Sequence, residues 1–323
     1  MKHRHYDPTN DLVFKFVFGR EERKNVTLQF INDMTGREGN DAFVDIDFQK
    51  TEFAPIKADE KLGRLDVFGI LNDRSRIDIE MQVINHFNME KRALFYWGQM
   101  YLHFNALQAG QGYGQIKPAI SINILRFPFL PCAEPFSQYG IYNIKNGHHL
   151  TNDFEMDFLE IPKYKDKPVK TLNRVERWLA YFANRLDPAG KEELAMLNPE
   201  IKEAMDASDL YLMDDKKYWE YLQRESAILD YNNDFVDAKK AAIEEGKAAG
   251  LAEGRAEGRA EGRVEGRAEG RAEAEAETET RMTRMFVCNL LQNGNMKPEE
   301  IAKLANTTVE EVARIAKESN LLD

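Results

Sequence analysis

Two hydrophobic periods alternate along the chain, and their order predicts its elements. Near the start, Pro8, Thr9 and Asn10 supply turn and cap chemistry before the apolar run DLVFKFVF, which predicts a short helix broken at Gly19. A second helix is expected from about Glu21, where Val26, Phe30, Ile31 and Met34 recur near the helical period and Gly36 closes the run. From about Val44 the period falls to two. VDIDF, LDVFGIL at 65–71 and RIDIEMQV at 76–83 read as strands, the last two separated by the turn-forming Asn72, Asp73 and Arg74. A helix from Asn88 to Leu107, ended by Gly110 and Gly112, then precedes a strand in PAISINILRF. The order α-α-β-β-β-α-β argues an α/β domain.

Further strands are expected in YGIYNI and FEMDFLEI, after which residues 172–237 turn helical. The aromatics there, Trp178, Tyr181, Phe182, Tyr218, Trp219 and Tyr221, recur at helical spacing, which favours core packing over base stacking. Residues 254–271 read GRAEGRAEGRVEGRAEGR, a repeat of four. As a helix it would stack Glu on Glu and Arg on Arg at i,i+4, with each Gly costing ~1 kcal/mol relative to Ala. The Glu and Arg stripes would lie about 200° apart. A flexible tether and an oligomerising helix both fit. The C-terminal run predicts a helix, a turn at Gly294, a helix opened by Pro298, a cap at Thr307 or Thr308, and a last helix. Acids at Glu299, Glu300, Glu310 and Glu311 disfavour phosphate docking there. The expected division is 1–170 for the α/β domain, 171–237 for a helical subdomain packed on or near it, 238–281 for the repeat and 282–323 for a small helical module.

Composition narrows the class. With 323 residues, 43% of them hydrophobic, the chain can bury one or two cores. Lys and Arg number 44 against 55 Asp and Glu, a net charge of −11 that excludes a globally basic nucleic-acid coat. Only residues 1–117, with 16 Lys+Arg against 17 Asp+Glu, come close to balance. No stretch is apolar enough to span a membrane and MKHRHYDPTND lacks a secretory core, so a soluble cytoplasmic protein is expected. Cys132 and Cys288 make neither a disulfide framework nor a zinc site. His3, His5, His148 and His149 have no companion ligands, and no GxxxxGK[ST], GxSxG, HExxH or CxxC element occurs.

The sharpest chemistry is Asp66, Glu80 and Gln82 within GRLDVFGILNDRSRIDIEMQV. On a strand, Glu80 shares its face with Asp78 and Gln82, while Ile77, Ile79, Met81 and Val83 turn the other way. A three-residue connection, Asn72 to Arg74, sets Leu71 against Ser75 and Asp66 against Glu80, with Cβ atoms ~5 Å apart. Two carboxylates that close repel unless a cation joins them, and hard oxygen ligands suit Mg2+ or Mn2+ rather than zinc. A metal-bound water of lowered pKa attacking a phosphodiester would make this a nuclease centre. Asp78 could belong to a second metal site or to a salt bridge with Arg64 or Arg76, and the salt bridge is favoured; Asp59 and Glu60 are expected to be solvated loop acids.

The runs DLVFKFVFG, RLDVFG, IEMQ, KRALFYW and GYGQIKPAISINIL, with the Gly-Glu-Arg repeats, resemble the Rpn family of recombination-promoting nucleases and transposases over nearly the whole chain. That resemblance implies the PD-(D/E)XK nuclease superfamily: a central mixed sheet flanked by helices, and a motif that binds Mg2+ for DNA cleavage. Asp66 matches the motif's Asp and Glu80 its Asp/Glu. Gln82 stands at the motif's Lys, a departure the Rpn family shares, and Gln cannot supply positive charge. Lys15, in an otherwise apolar helix, or Arg64 is the candidate to restore it; a snorkelling lysine is the plainer reading of Lys15. Arg92, one turn before Tyr96, is a candidate contact to the DNA backbone or an ordinary exposed arginine. The expected function is a Mg2+-dependent DNA endonuclease of low sequence specificity linked to recombination or transposition. The alternative is a catalytically weak or inactive DNA-binding or interaction protein of a mobile-element or defence system, self-associating through 246–281.

Overall fold

In α1 (Asp11–Phe18) the Asn10 side chain caps the helix by accepting from Leu12 N, and Val13, Phe14, Val17 and Phe18 are buried along one stripe. A 3-10 turn at Glu21–Arg23 leads into α2 (Lys24–Thr35), which ends at Gly36 with φ 67°, a left-handed cap that glycine adopts without strain. The computed structural model describes residues 4–51, 65–103, 107, 110–292 and 296–319. The expectations on Asp59, Glu60, Arg64, His3 and Gly294 lie outside the described residues.

The strands are β1 (Ile46–Phe48), β2 (Val67–Leu71), β3 (Arg76–Gln82), β4 (Ala119–Leu125), β5 (Phe136–Tyr142) and β6 (His149–Glu160). They form one mixed sheet in the order β1-β2-β3-β4-β6-β5, with parallel pairs β3/β4 and β4/β6 and the rest antiparallel. Between β3 and β4 runs α3 (Met89–His103), the crossover that a parallel pair requires. This helix is shorter than the pattern predicts, since Leu107 is not helical. In β2, Gly69 lets β1 approach closely: a Cβ there would lie 2.6 Å from Ile46 Cγ1.

The two faces of the sheet differ in chemistry. On one, Val67, Leu71, Ile77, Ile79, Ile120, Ile122 and Leu159 join a core with α1, α2, α4 (Arg174–Ala183) and α6 (Pro199–Met213), the last reached through α5 (Pro188–Leu197). Trp178, Tyr181, Phe182 and Tyr221 are buried in that same core, whereas Trp219 is exposed, a correction to its expected packing. The other face, under α3, carries two small apolar clusters around Leu125 and Phe158 and around Phe68 and Met100. Fully buried polar side chains share that face: Asp78, Glu80, Ser121 and Asn123.

The chain divides into two units, Met1–Phe235 and Val236–Asp323, the boundary falling inside α7 (Asp215–Gln292). The repeat is helical, and all of its side chains are exposed. The second unit closes on a small core of Val287, Ile301, Val312 and Ile315, formed with α8 (Pro298–Leu304) and α9 (Val309–Glu318), the latter capped by Thr308. No helix among the described residues is long and apolar enough to cross a membrane.

Candidate functional site

Strands β2 and β3 pair with Val67 opposite Ile79 and Phe68 opposite Asp78, so Leu71 meets Ser75 across Asn72 to Arg74. One step further, backbone pairing gives way to side chains. Asp66 N donates to Glu80 Oε1 at 3.0 Å, and Met81 N donates to Asp66 Oδ2 at 3.0 Å. Each carboxylate is thus held by the backbone of the opposite segment, a reciprocal clamp that locks both side chains at the mouth of the β2/β3 ladder.

Around the clamp, Lys15 Nζ on α1 lies 2.8 Å from Asp66 Oδ1. Its helix buries the apolar stripe on either side and leaves the ammonium half-exposed at the site. Gln82 Nε2 donates to Glu80 Oε2 at 2.6 Å. Arg92 Nη2 on α3 lies 3.9 Å from the same oxygen, and its guanidinium stacks 5.3 Å from the Tyr96 ring centroid. The structure therefore gathers Lys15, Asp66, Glu80, Gln82 and Arg92; Arg64 lies outside the described residues.

Asp78 makes no ion pair with Arg76, and Arg64 lies outside the described residues. Among the described residues it makes no ion pair: it is fully buried, its Oδ1 has no hydrogen bond, and Ser121 Oγ lies 3.5 Å from its Oδ2. The reason is its face, because β3 turns Asp78 inward under α3 with Glu80. Burial, with the Asp66 charge added, pushes the Asp78 carboxyl well above the usual range; burial and then Asp78 and Asp66 do the same to Glu80.

Sequence reasoning passed over Ser121, Asn123 and Tyr96. Asn123 Nδ2 donates to Ser121 Oγ at 3.2 Å, extending the polar face from β3 to β4. The signal was present: AISINIL places Ser and Asn at alternate positions of an aliphatic strand, as RIDIEMQ does with its acids. Tyr96 carries no signal beyond helical spacing from Arg92.

Three carboxylates, Asp66, Asp78 and Glu80, face two cations, Lys15 and Arg92, and one buried acid oxygen is unsatisfied. This excess of hard oxygen donors fits a divalent cation such as Mg2+. Among the described residues no group of three or more His, Cys, Asp or Glu side chains is already gathered for a metal. The fit is accordingly to an ion that takes one or two protein carboxylates and keeps its own waters, as Mg2+ does.

Compared with known families, residues 8–238 match the family model described as PD-(D/E)XK nuclease family transposase. No curated protein and no solved structure matches the chain.

Proposed function

The chain belongs to the PD-(D/E)XK nuclease family transposases, and from that premise we propose that it is a Mg2+-dependent endonuclease hydrolysing phosphodiester bonds in DNA with little sequence preference, in recombination or transposition. One observation carries the reading: Lys15 on α1, Asp66 just before β2, and Glu80 and Gln82 on β3 converge on one point.

Asp66 and Glu80 would hold the ion, with Mn2+ an acceptable substitute. When bound, a divalent ion supplies a water of lowered pKa and offsets negative charge on the phosphoryl group. The remaining work belongs to the chain. Gln82 gives its amide N–H to Glu80, which leaves its carbonyl oxygen to accept from, and so orient, the attacking water. Lys15 places positive charge where the motif's lysine would stand, against the phosphate oxygens in the transition state. Arg92, anchored near Glu80, reaches toward the DNA backbone. Hydrolysis adds the water oxygen to phosphorus and expels a sugar oxygen, which takes up a proton.

A plasmid-nicking gel with Mg2+ or with EDTA, for wild type and Asp66→Ala, tests this. Nicking that needs Mg2+ and vanishes in Asp66→Ala is expected; equal nicking by both proteins rejects the assignment. A second reading, DNA binding without cleavage, draws on Gln82 in place of Lys and on the protein donors already bonded to Asp66 and Glu80. Mg2+-dependent DNA binding with no product would favour it.

A further inference from the structure

Between Gln82 at the end of β3 and α3, which carries Arg92, the segment Val83–Asn88 is bracketed by two residues of the candidate site. It presents aromatic rings to solvent. Phe87 is 67% exposed, and its ring lies 5.4 Å from that of Phe235, 37% exposed, on α7. Beside them His86 meets Tyr231 edge to face at 5.6 Å, with Nδ1 3.1 Å from the Tyr231 hydroxyl. A groove of about 230 Å³ opens beside Tyr231 and Phe235, lined also by Val83, Asn85, Arg126 and Phe127.

Several features distinguish this surface from scattered exposed side chains. Phe87 holds φ 56°, a left-handed conformation unfavourable for a bulky residue and kept in place by Asn85 Oδ1, which accepts from Phe87 N at 2.8 Å. The chain thus bears a local cost to hold an apolar ring out in water. Arg126 also lines the groove, its side chain paired with Asp7 at 3.0 Å, and its backbone N donates to Gln82 O at 3.0 Å, so the groove lies beside the strand end that carries Gln82. Asp230 and Asp234 stand exposed on α7, each one residue before Tyr231 and Phe235. Their charge keeps phosphates, of one strand or of two, at a distance, so the apolar rings are what this surface offers a nucleic acid. Base–aromatic stacking is sequence-tolerant because every base has a π-face.

We propose that Phe87 and Phe235, with the groove beside Phe235, form a stacking ledge for unpaired bases, which makes single-stranded or frayed DNA the substrate class of the neighbouring site. The proposal rests on the nuclease reading for the identity of that site. A single strand enters past Phe87, and its bases stack on the ledge beside the strand end that carries Gln82.

The test uses the full chain in EDTA, so that binding is measured without cleavage. Fluorescence anisotropy compares a thymidine oligonucleotide, an abasic oligonucleotide of equal length and a duplex of equal length. The thymidine strand should bind best. Phe87→Ala and Phe235→Ala should each weaken it by about fivefold to a hundredfold, leave abasic binding unchanged, and leave the slope of log K against log salt unchanged, because stacking neutralises no phosphate. Phe87→Trp should restore the affinity, and all three variants should melt with wild type because the rings are exposed. Equal binding of the abasic and thymidine strands, no binding of either, or alanine variants that bind as wild type overturns the ledge. Cleavage of the same thymidine oligonucleotide in Mg2+ is run in parallel. Cleavage without stacking-dependent binding overturns the ledge and leaves the nuclease reading, whereas stacking-dependent binding with cleavage of neither the oligonucleotide nor plasmid overturns the nuclease reading alone.

Discussion

Lys15 Nζ lies 2.8 Å from Asp66 Oδ1, joining the first helix of the chain to a carboxylate 51 positions later. Under the proposed nuclease reading, α1 would supply the cation that the PD-(D/E)XK motif draws from the strand, where this chain has the uncharged Gln82.

This relationship predicts a charge that can be moved. Lys15→Ala should lower Mg2+-dependent nicking by about tenfold to a thousandfold, the range for losing one transition-state electrostatic contact. Stability should change little, because the ion pair is partly solvated. Adding Gln82→Lys to Lys15→Ala should recover part of the rate. Single-turnover rates on nicked and supercoiled plasmid measure both, and a double variant no better than Lys15→Ala would remove Lys15 from this role.

Metal binding should register in stability as well as in rate. Mg2+ or Mn2+ should raise the melting temperature of the wild-type protein in proportion to the logarithm of its concentration above Kd. Asp66→Ala should lose this shift while its ion-free melting temperature stays close to wild type or rises, since the substitution removes one of three mutually repelling carboxylates. Scanning calorimetry with and without EDTA reads both.

Asp157 on β6 predicts a pH dependence far from the chemistry. It is fully buried against the aliphatic face, and burial followed by the Glu155 charge pushes its carboxyl well above the usual range, outweighing the opposing pull of Gln138. A folded-state value raised above the unfolded one means stability that is full below about pH 4, the unfolded value, and lost as pH rises through the folded value. Asp157→Asn should match wild type at acid pH and exceed it by about 1–3 kcal/mol at pH 8. Urea titrations at the two pH values check the sign, and a mutant less stable at pH 8 would contradict it.

In the repeat, a side chain added at Gly254, Gly258, Gly262 or Gly266 meets no atom within 4 Å. Alanine at each should strengthen the helix by about 1 kcal/mol, seen as increased ellipticity and a later thermal loss of helix in circular dichroism. Loss of helix or of self-association on substitution would show that another backbone approaches these glycines in solution.

The alternation of RIDIEMQV and the three residues Asn72 to Arg74 determined the strand register, and with it the meeting of Asp66 and Glu80, because a period of two admits no half-step. Asn10, Gly36 and Thr308 marked helix ends for the same local reason: caps depend on neighbours in sequence. Self-association through 246–281 was open on sequence grounds and stays open, since helicity alone does not supply a partner. Other features depended on distant packing. An exposed Trp219 and a buried Trp178 have the same helical spacing; only the core chose between them. Asp78 has Arg76 two residues before it in sequence, yet the sheet turned it under α3, where the two make no ion pair with each other.

By itself the sequence determined which residues alternate, where the turns fall and which carboxylates share a face, since these follow from backbone geometry over a few bonds. Tertiary structure alone decided that Lys15 reaches Asp66, that Ser121 and Asn123 continue the polar face of β3, and that Phe87 meets Phe235. Those contacts join segments far apart in the chain, and the packing of helices on the two sides of one sheet sets their distances.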